Sequence, residues 1–247
     1  MDEGQPTEID VATVLEILAQ GELEGLGTMP YSSNYTLLCS AEYQGTKLLA
    51  VYKPRRGERP LWDFPRGTLC QREVAAYLLS EGLGFSLVPP TVLRDGPYGV
   101  GSVQLFIDAD PEAHLFTMQQ EGGYERAIQQ LVLFDIVANN ADRKSGHCLK
   151  GNDGRLWAID HGICFHDEYK LRTVLWDYIS EPIPEEDLKA LEQLREQLKP
   201  ATDLSQMFEE LLSAAEVRAL RRRVERLLRT GLYPAPGPGP NIPWPPV

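Results

Sequence analysis

The chain has few cysteines, no long apolar run and little positive charge for its size. Its 247 residues include four cysteines, with no C-x-x-C pair and no spacing typical of zinc ligands. We therefore expect reduced, packed thiols in a chain long enough to bury its own core. No apolar stretch approaches the roughly 20 residues that span a bilayer, and the acidic beginning is unlike a secretory signal. We expect a cytoplasmic protein.

Acidic residues outnumber basic ones by 36 to 24, which gives a formal net charge of −12. A surface of that sign repels nucleic acid and anionic lipid at long range. We therefore expect no nucleic-acid partner and no membrane span. The segment from Lys53 to Arg72 is locally basic. It either binds an anionic substrate or is a solvated loop whose arginines pair with Glu58 and Asp63.

Hydrophobic periodicity predicts a strand-rich half followed by a helical half. In the first half we predict helices over 10–20 and 70–81 and strands over 35–40, 47–52, 91–93 and 102–107. In the second half we predict helices over 125–137, 186–197 and 214–229 and short strands over 148–150 and 156–159. The sequence therefore predicts an α+β protein, with a sheet-containing part over 1–108 and a mostly helical part over 109–233.

The remaining segment, 234–247, contains seven prolines in fourteen residues. Proline lacks a backbone N–H and cannot continue a helix or a central strand, so we expect an extended segment. If the segment is only an appendage, its removal should barely alter stability. A large loss of melting temperature would instead show that it packs on the body.

The most informative stretch reads F-D-I-V-A-N-N-A-D-R-K-S-G-H-C-L-K and, after a short turn, W-A-I-D-H-G-I-C-F. It places Asp142 at the start of a polar loop and Asp160 at the end of an apolar strand. A hairpin between them would bring the two carboxylates together. One could orient or deprotonate a hydroxyl while the other holds a divalent cation. The alternative is that each motif is a solvated loop or a simple turn.

A second pair of residues lies upstream. Lys53 ends an apolar strand in L-L-A-V-Y-K-P, and Glu73 lies early in the next predicted helix. A carboxylate partner would keep the Lys53 ammonium charged in a partly dry site, where it could bind the phosphates of a nucleotide. The alternative is that Lys53 is an ordinary surface lysine at the end of a strand.

These four positions, in this order, resemble the protein-kinase-like superfamily, and specifically its phosphatidylinositol 3-/4-kinase-like and HipA-like branches. The segment N-A-D-R-K-S-G-H-C-L and then A-I-D-H-G is similar to the D-R-x-x-x-N and I-D-N-G or D-F-G segments of type II phosphatidylinositol 4-kinases. Residues 10–230 more closely resemble an uncharacterised, kinase-like bacterial family known best from actinomycetes. The resemblance implies a two-lobed protein-kinase-like fold that binds ATP and Mg²⁺.

The resemblance also implies a role for each matching position. Lys53 corresponds to the phosphate-binding lysine, Glu73 to its helix partner, Asp142 to the catalytic-loop aspartate and Asp160 to the metal-binding aspartate. Backbone groups of the linker from Gln104 through Phe106 and Ile107 to Asp108 would bind adenine. The segment Tyr31–Tyr35, with Ser32, Ser33 and Asn34, corresponds to the loop that covers the phosphates.

Three positions depart from the family pattern. The covering loop Y-S-S-N-Y lacks the glycines of G-x-G-x-x-G, although its small residues can still present backbone N–H groups to phosphate. His147 occupies the position of the usual metal-binding asparagine, and imidazole suits Mn²⁺, Zn²⁺ or iron better than Mg²⁺. We therefore include His147 with Asp160 as a candidate metal ligand and consider Mn²⁺ as well as Mg²⁺. His161 follows the metal aspartate in place of Phe or Asn.

Three functions are compatible with this sequence. The first is an ATP-dependent phosphotransferase in which Lys53 and Asp142 are catalytic and the acceptor is a protein hydroxyl or a small polar metabolite. The second is a nucleotide-binding pseudokinase that regulates without turnover, which the histidine at 147 and the missing glycine loop motivate. The third is an enzyme of the same fold that transfers AMP instead of phosphate.

Overall fold

The computed structural model describes residues 9–29 and 34–246. Contacts between residues divide the chain into two compact units. The first contains Met1–Arg59 and Pro90–Phe106, and the second contains Pro60–Pro89 and Ile107–Val247. The predicted first lobe, 1–108, included residues 60–89, whereas contacts group that stretch with the second unit.

The first unit is a five-stranded antiparallel sheet with one helix. Its elements are α1 (Val11–Gln20), β1 (Glu22–Thr28), β2 (Leu37–Tyr43), β3 (Thr46–Pro54), β4 (Thr91–Gly96) and β5 (Gly99–Leu105). The strand order is β1-β2-β3-β5-β4, and every neighbouring pair is antiparallel. Asp10 caps α1 by accepting a hydrogen bond from the Thr13 N–H, and Gly21 ends the helix, as the sequence predicts.

Apolar packing between α1 and the sheet forms the core of the first unit. Val14, Ile17 and Leu18 of α1 lie against buried residues of β2, β3 and β5, which are Leu37, Cys39, Ala41, Ala50, Tyr52 and Val103. The Tyr52 hydroxyl donates a hydrogen bond to the Gly99 carbonyl. Its ring lies so close to Gly101 that a Cβ there would be 2.6 Å from the ring, so this position requires glycine.

The second unit is mostly helical and contains one short hairpin. Its elements are α2 (Leu69–Gly82), α3 (Leu115–Glu121), α4 (Glu125–Ala138), β6 (Cys148–Lys150), β7 (Leu156–Ala158), α5 (Glu185–Gln197), α6 (Asp203–Leu211) and α7 (Ala214–Thr230). A 3₁₀ turn over Ser145–His147 precedes β6. The helices predicted at 70–81, 125–137, 186–197 and 214–229 are confirmed to within one residue at each end.

Helix α2 is buried on nearly all sides, which explains its place in the second unit. It packs against α4, α5 and α6. The Arg72 guanidinium donates hydrogen bonds to the Cys164 carbonyl and to the Glu216 carboxylate of α7, at 2.7 and 2.5 Å. Arg72 also lies over the Phe64 ring, 4.9 Å from its centroid. A buried ion pair of this kind stabilises the unit only when both partners are present.

Residues 234–246 form no helix or strand but they are not a loose appendage. The Ser145 N–H donates to the Pro246 carbonyl at 2.8 Å, and the Thr173 N–H donates to the Asn241 carbonyl at 3.0 Å. The Trp176 indole N–H also donates to the Asn241 carbonyl, at 3.0 Å. The proline-rich segment therefore packs on the rest of the second unit, which favours the second of the two alternatives, and we expect its deletion to lower the melting temperature.

Candidate active site

The loop that carries Asp142 begins where helix α4 ends. Asn139 caps α4 in the left-handed conformation, with φ of 53°, which asparagine tolerates better than most residues. The next residue, Asn140, donates from its side-chain amide to Asp135 at 2.8 Å and accepts from the Asp142 N–H at 3.0 Å. This local turn sets the direction in which Asp142 leaves the helix.

The Asp142 carboxylate is partly exposed and lies beside a lysine. Lys144 Nζ is 2.9 Å from Asp142 Oδ2, and both side chains are about one-quarter exposed or less, at 24% and 21%. Lys144 carries a positive charge at the proposed reaction centre, where it could contact a phosphate as well as the carboxylate. Lys144 was not among the predicted site residues. Its position two residues after Asp142 in a polar run could have indicated that a positive charge lies close to that carboxylate.

His147 joins the main chain of Asp142 to the side chain of Asp160. His147 Nδ1 is 2.9 Å from the Asp142 carbonyl oxygen, and Nε2 is 3.4 Å from Asp160 Oδ2. Since a carbonyl oxygen only accepts hydrogen bonds, the ring hydrogen is assigned to Nδ1. Burial lowers the pKa of His147, while the Asp160 carboxylate opposes that effect. The ring therefore lies between a carbonyl oxygen at Nδ1 and a carboxylate oxygen at Nε2.

Asp160 lies in the turn that follows β7 and has a left-handed backbone, with φ of 63°. Its side chain is about half exposed, at 49%. The next residue, His161, donates its backbone N–H to Glu73 Oε2 at 3.0 Å. Glu73 is buried and therefore connects α2 to the turn that carries Asp160. The expected pairing of Glu73 with Lys53 stays a prediction.

Arg143 forms hydrogen bonds with both parts of this site, the loop from Asp142 to His147 and the segment that leads to Asp160. Its guanidinium is fully buried and is paired with Asp135, with Nε 3.0 Å from Oδ2. It also donates to the carbonyls of His147 and Ile159 at 3.2 Å and lies 2.6 Å from His161 Nε2. Burial acts against the charge, but Asp135 outweighs it and raises the pKa of Arg143. Sequence reasoning assigned no role to Arg143, because its partner Asp135 lies within an apolar helix.

The donor set at Asp160 and His147 fits a divalent cation. When Nε2 of His147 carries no hydrogen, it and the Asp160 carboxylate oxygen 3.4 Å away are two electron-pair donors that one cation could share. Within the described ranges, no group of three or more His, Cys, Asp or Glu side chains is placed to hold a metal ion. A cation at this pair would complete its coordination with water and phosphate oxygens, which suits Mg²⁺ or Mn²⁺.

The first unit carries the predicted phosphate-binding residues. Lys53 lies in β3 opposite Ser102 of β5 and is partly buried. The Asn34 side chain accepts a hydrogen bond from the Arg59 N–H at 2.7 Å. Ser32 and Ser33 lie outside the described residues. The phosphate-binding roles of Lys53, Ser32, Ser33 and Asn34 stay predictions.

Several linker groups already have hydrogen-bond partners. The Gln104 side chain donates to Thr91 Oγ1 at 2.8 Å, and the Phe106 N–H donates to the Leu49 carbonyl at 3.0 Å. These two groups serve the sheet, so adenine binding at the predicted residues Gln104, Phe106 and Ile107 would rely on other backbone atoms. That assignment stays a prediction.

In the second unit, Asp108 is tied to the turn of the β6–β7 hairpin. Asn152 donates its backbone N–H to the Asp108 carbonyl at 3.0 Å and its side-chain amide to Asp108 Oδ2 at 2.8 Å. Ala109 forms an isolated antiparallel bridge with Gly151. The end of the linker is thereby paired with the β6–β7 hairpin, whose second strand ends two residues before Asp160.

No family model matches the chain. Protein Rv2133c of Mycobacterium tuberculosis (strain ATCC 25618 / H37Rv) is 40% identical over 262 residues, which cover 93% of this chain and 94% of the mycobacterial protein. The chain belongs to the same family as Rv2133c. Phosphatidylinositol 4-kinase gamma 4 of Oryza sativa subsp. japonica is 35% identical over 170 residues, 54% of this chain and 30% of that protein. The Rv2133c family is therefore kinase-like.

Two solved structures resemble this member of the Rv2133c family. The Golgi casein kinase with Mn/ADP bound has a TM-score of 0.57 at 15% identity, with 89% of this chain and 75% of that chain covered. The Helicobacter pylori proinflammatory kinase CtkA has a TM-score of 0.53 at 12% identity, with 87% and 94% covered. At such identities the likeness concerns the fold alone, and the predicted two-lobed kinase-like α+β fold is confirmed. Among the described residues, no helix has the length and apolar character needed to cross a bilayer.

Proposed function

We propose that this protein is an ATP-dependent phosphotransferase. The observation that carries the proposal is the position of one imidazole, His147, between the main chain of Asp142 and the carboxylate of Asp160. The kinase-like family and fold support it. The finer tie to HipA-like proteins and the cytoplasmic location remain predictions from sequence.

The proposed roles follow from charge and position. Asp142 accepts a hydrogen bond from the acceptor hydroxyl and orients it for attack, while Lys144 neutralises charge that develops on the transferred phosphoryl group. Lys53 binds the phosphates of ATP, and Glu73 keeps the turn carrying Asp160 in place through the His161 N–H. Backbone groups of Ser32, Ser33 and Asn34 cover the phosphates, and the linker from Gln104 to Ile107 binds adenine.

The proposed metal ligands are Asp160 and His147. The cation would neutralise phosphate charge and hold the triphosphate in one orientation. Because nitrogen ligands bind Mn²⁺ more readily than Mg²⁺, we propose that Mn²⁺ supports nucleotide binding better than Mg²⁺ does. The Mn/ADP named for the similar Golgi casein kinase is in keeping with this choice.

We propose a protein hydroxyl or a small polar metabolite as the acceptor. The plant relative is named a phosphatidylinositol 4-kinase, so an inositol lipid is the competing acceptor. The net charge of −12 disfavours approach to an anionic bilayer. Comparing labelled phosphate transfer to a mixed protein extract with transfer to phosphatidylinositol vesicles separates the two acceptors.

A second candidate is a nucleotide-binding pseudokinase. The ion pair between Lys144 and Asp142 favours it, because a carboxylate held by a lysine is a weaker hydrogen-bond acceptor for a hydroxyl. Tight ADP binding without turnover under any metal would support this candidate. Transfer of AMP on the same fold is separated from phosphoryl transfer by labelling with α-³²P-ATP.

The main experiment measures phosphate release and self-labelling from γ-³²P-ATP with Mn²⁺ or Mg²⁺. We expect Asp142→Asn to reduce turnover by about 10²-fold or more while ADP binding persists. Asp160→Ala should remove metal-dependent nucleotide binding without unfolding, since the Asp160 side chain is half exposed. Asp177→Asn is the matched control, because Asp177 is exposed and we assign it no part in the site. Equal turnover in Asp142→Asn and Asp177→Asn would contradict the proposal.

A further inference from the structure

The proline-rich segment reaches two loops of the candidate active site. We call residues 237–246 the C-terminal strap. The strap accepts a hydrogen bond from the Ser145 N–H at the Pro246 carbonyl and one from the Thr173 N–H at the Asn241 carbonyl. Prolines cannot donate backbone hydrogen bonds, but their segment offers carbonyl acceptors, and both of these links use strap carbonyls. The proline content that prevents a helix is therefore compatible with these two links, in which the strap only accepts hydrogen bonds.

The strap has a defined shape of its own. The Asn241 side-chain amide donates to the carbonyls of Gly237 and Gly239, at 2.8 and 2.9 Å. The Gly237 N–H donates to the Tyr169 hydroxyl at 3.0 Å, and a Cβ at Gly237 would be 2.4 Å from the Tyr169 ring. Asn241 therefore closes a turn whose other end lies against Tyr169.

The two anchored loops also hold each other. Arg143 and Thr173 form a parallel bridge, in which the Arg143 N–H donates to the Arg172 carbonyl at 3.0 Å and the Val174 N–H donates to the Arg143 carbonyl at 3.1 Å. Ser145 follows Asp142 by three residues and lies in the 3₁₀ turn that contains His147. The strap thus contacts the catalytic loop directly through Ser145 and indirectly through the segment of Thr173.

We propose that the C-terminal strap, with Asn241 as its positioning residue, holds the loop from Asp142 to His147 in the geometry needed for phosphoryl transfer. The strap contacts the backbone of the loop that carries Asp142, at Ser145, so its loss should impair the transfer step more than nucleotide binding. The effect on transfer rests on the proposed function, whereas the effect on the loops does not.

Hydrogen–deuterium exchange tests the loop effect without any assumption about activity. We expect deletion of residues 234–247 to speed exchange at the amides of Ser145 and Thr173 by about tenfold or more, since it removes the two acceptor carbonyls. The milder Asn241→Ala keeps those carbonyls but removes the side-chain hydrogen bonds to Gly237 and Gly239 that shape the strap, so we expect it to speed exchange at the same two amides by a smaller factor. Ile242→Ala is the matched control, because its side chain is 59% exposed beside Asn241. Unchanged exchange at Ser145 and Thr173, or equal acceleration over α4–α7, would overturn the proposal.

Steady-state kinetics tests the transfer effect. In Asn241→Ala we expect kcat for ATP turnover with Mn²⁺ to fall by about 10- to 100-fold and KM for ATP to stay within about twofold. A synthetic peptide of residues 234–247 added to the deletion variant should restore kcat. A rise in KM with unchanged kcat would overturn the positioning role. If the unaltered protein turns over no ATP, the proposed function fails and the exchange experiment still decides the role of the strap.

Discussion

The two units of the molecule are stabilised by different kinds of interaction. In the first unit, α1 packs on the sheet through apolar side chains. The buried polar residues described in this unit are uncharged, and they include Thr91, Ser102 and Gln104. In the second unit, buried side chains include full charges. These are Arg72, Glu73, Asp135, Arg143, Asp187 and Glu216.

The difference follows from what each unit has to hold in place. A sheet satisfies its own backbone groups, so apolar packing on one face is enough. The second unit must fix irregular loops around Asp142 and Asp160, whose backbone groups have no ladder partners, and buried side chains supply those hydrogen bonds. Arg143 alone donates to two such carbonyls. Buried charged side chains therefore occur in the unit whose loops need a fixed backbone conformation, which apolar packing alone does not provide.

The largest effect on stability is expected when this charge network loses one partner. Asp135→Ala leaves Arg143 buried without its counter-ion and should lower the free energy of unfolding by about 3–5 kcal/mol. All four tryptophans lie in the second unit, so tryptophan fluorescence during urea unfolding reports on it. Leu131→Met on the same helix is the control and should cost less than about 1.5 kcal/mol. Similar losses in both variants would show that packing, not charge, dominates.

The next effect concerns the nucleotide and the first unit. Lys53→Met should abolish the stabilisation that saturating ADP with Mn²⁺ provides in a thermal melt, which at 100 times Kd is about 2.7 kcal/mol. Lys47→Met is the matched control, because Lys47 lies on the same strand but is half exposed and paired with Glu24 at 3.9 Å. Undiminished protection in Lys53→Met would remove this lysine from the nucleotide site.

A smaller effect is expected on the choice of metal. His147→Asn replaces an imidazole nitrogen by an amide oxygen, which should lower the preference for Mn²⁺ over Mg²⁺ by about tenfold. The measurement is ADP-dependent thermal stabilisation titrated with each metal separately. If the ratio of the two apparent affinities stays the same, His147 is not a metal ligand.

The smallest effect is expected in the sheet of the first unit. Tyr52→Phe removes the hydrogen bond to the Gly99 carbonyl but keeps the buried ring, so it should cost about 0.5–1.5 kcal/mol. Tyr43→Phe, which removes a surface hydrogen bond to Gln20, should change stability by less than about 0.5 kcal/mol. Both are measured by circular dichroism in urea. A loss above about 3 kcal/mol for Tyr52→Phe would mean that this unit also depends on a polar network.

Much of the secondary structure was predictable because its signals are local. Helices α1, α2, α4, α5 and α7 have apolar residues at helical spacing. The sequence G-N-D-G, between β6 and β7, predicts the turn of that hairpin. Elements β1, α3 and α6 were not predicted. Strand β1 has no alternating burial because it is an edge strand and almost wholly exposed. Helices α3 and α6 are only seven and nine residues long, so their periodicity is weak.

Within the candidate site, the sequence motifs named residues that the structure places close together, but not the residues that hold them there. Asp142, His147 and Asp160 belong to short motifs, and the structure brings them together around one imidazole. Lys144, Arg143 and Asp135 lie in the same quoted stretch but were not assigned, because the pairing of each charge depends on the folded loop. Whether the proline-rich segment packs on the body was left open by the sequence, since proline content indicates what a segment cannot form and not what it contacts.

By itself, the sequence determined the acidic character of the chain, which depends on composition alone. It also determined most helices and strands and the short motifs of the candidate site, because these depend on neighbours a few positions away. Only the tertiary structure decided how the residues are held. Glu73 meets the His161 amide 88 positions later, and Arg72 meets Glu216 144 positions later. Such contacts depend on how helices and loops pack in three dimensions, and no local periodicity encodes them.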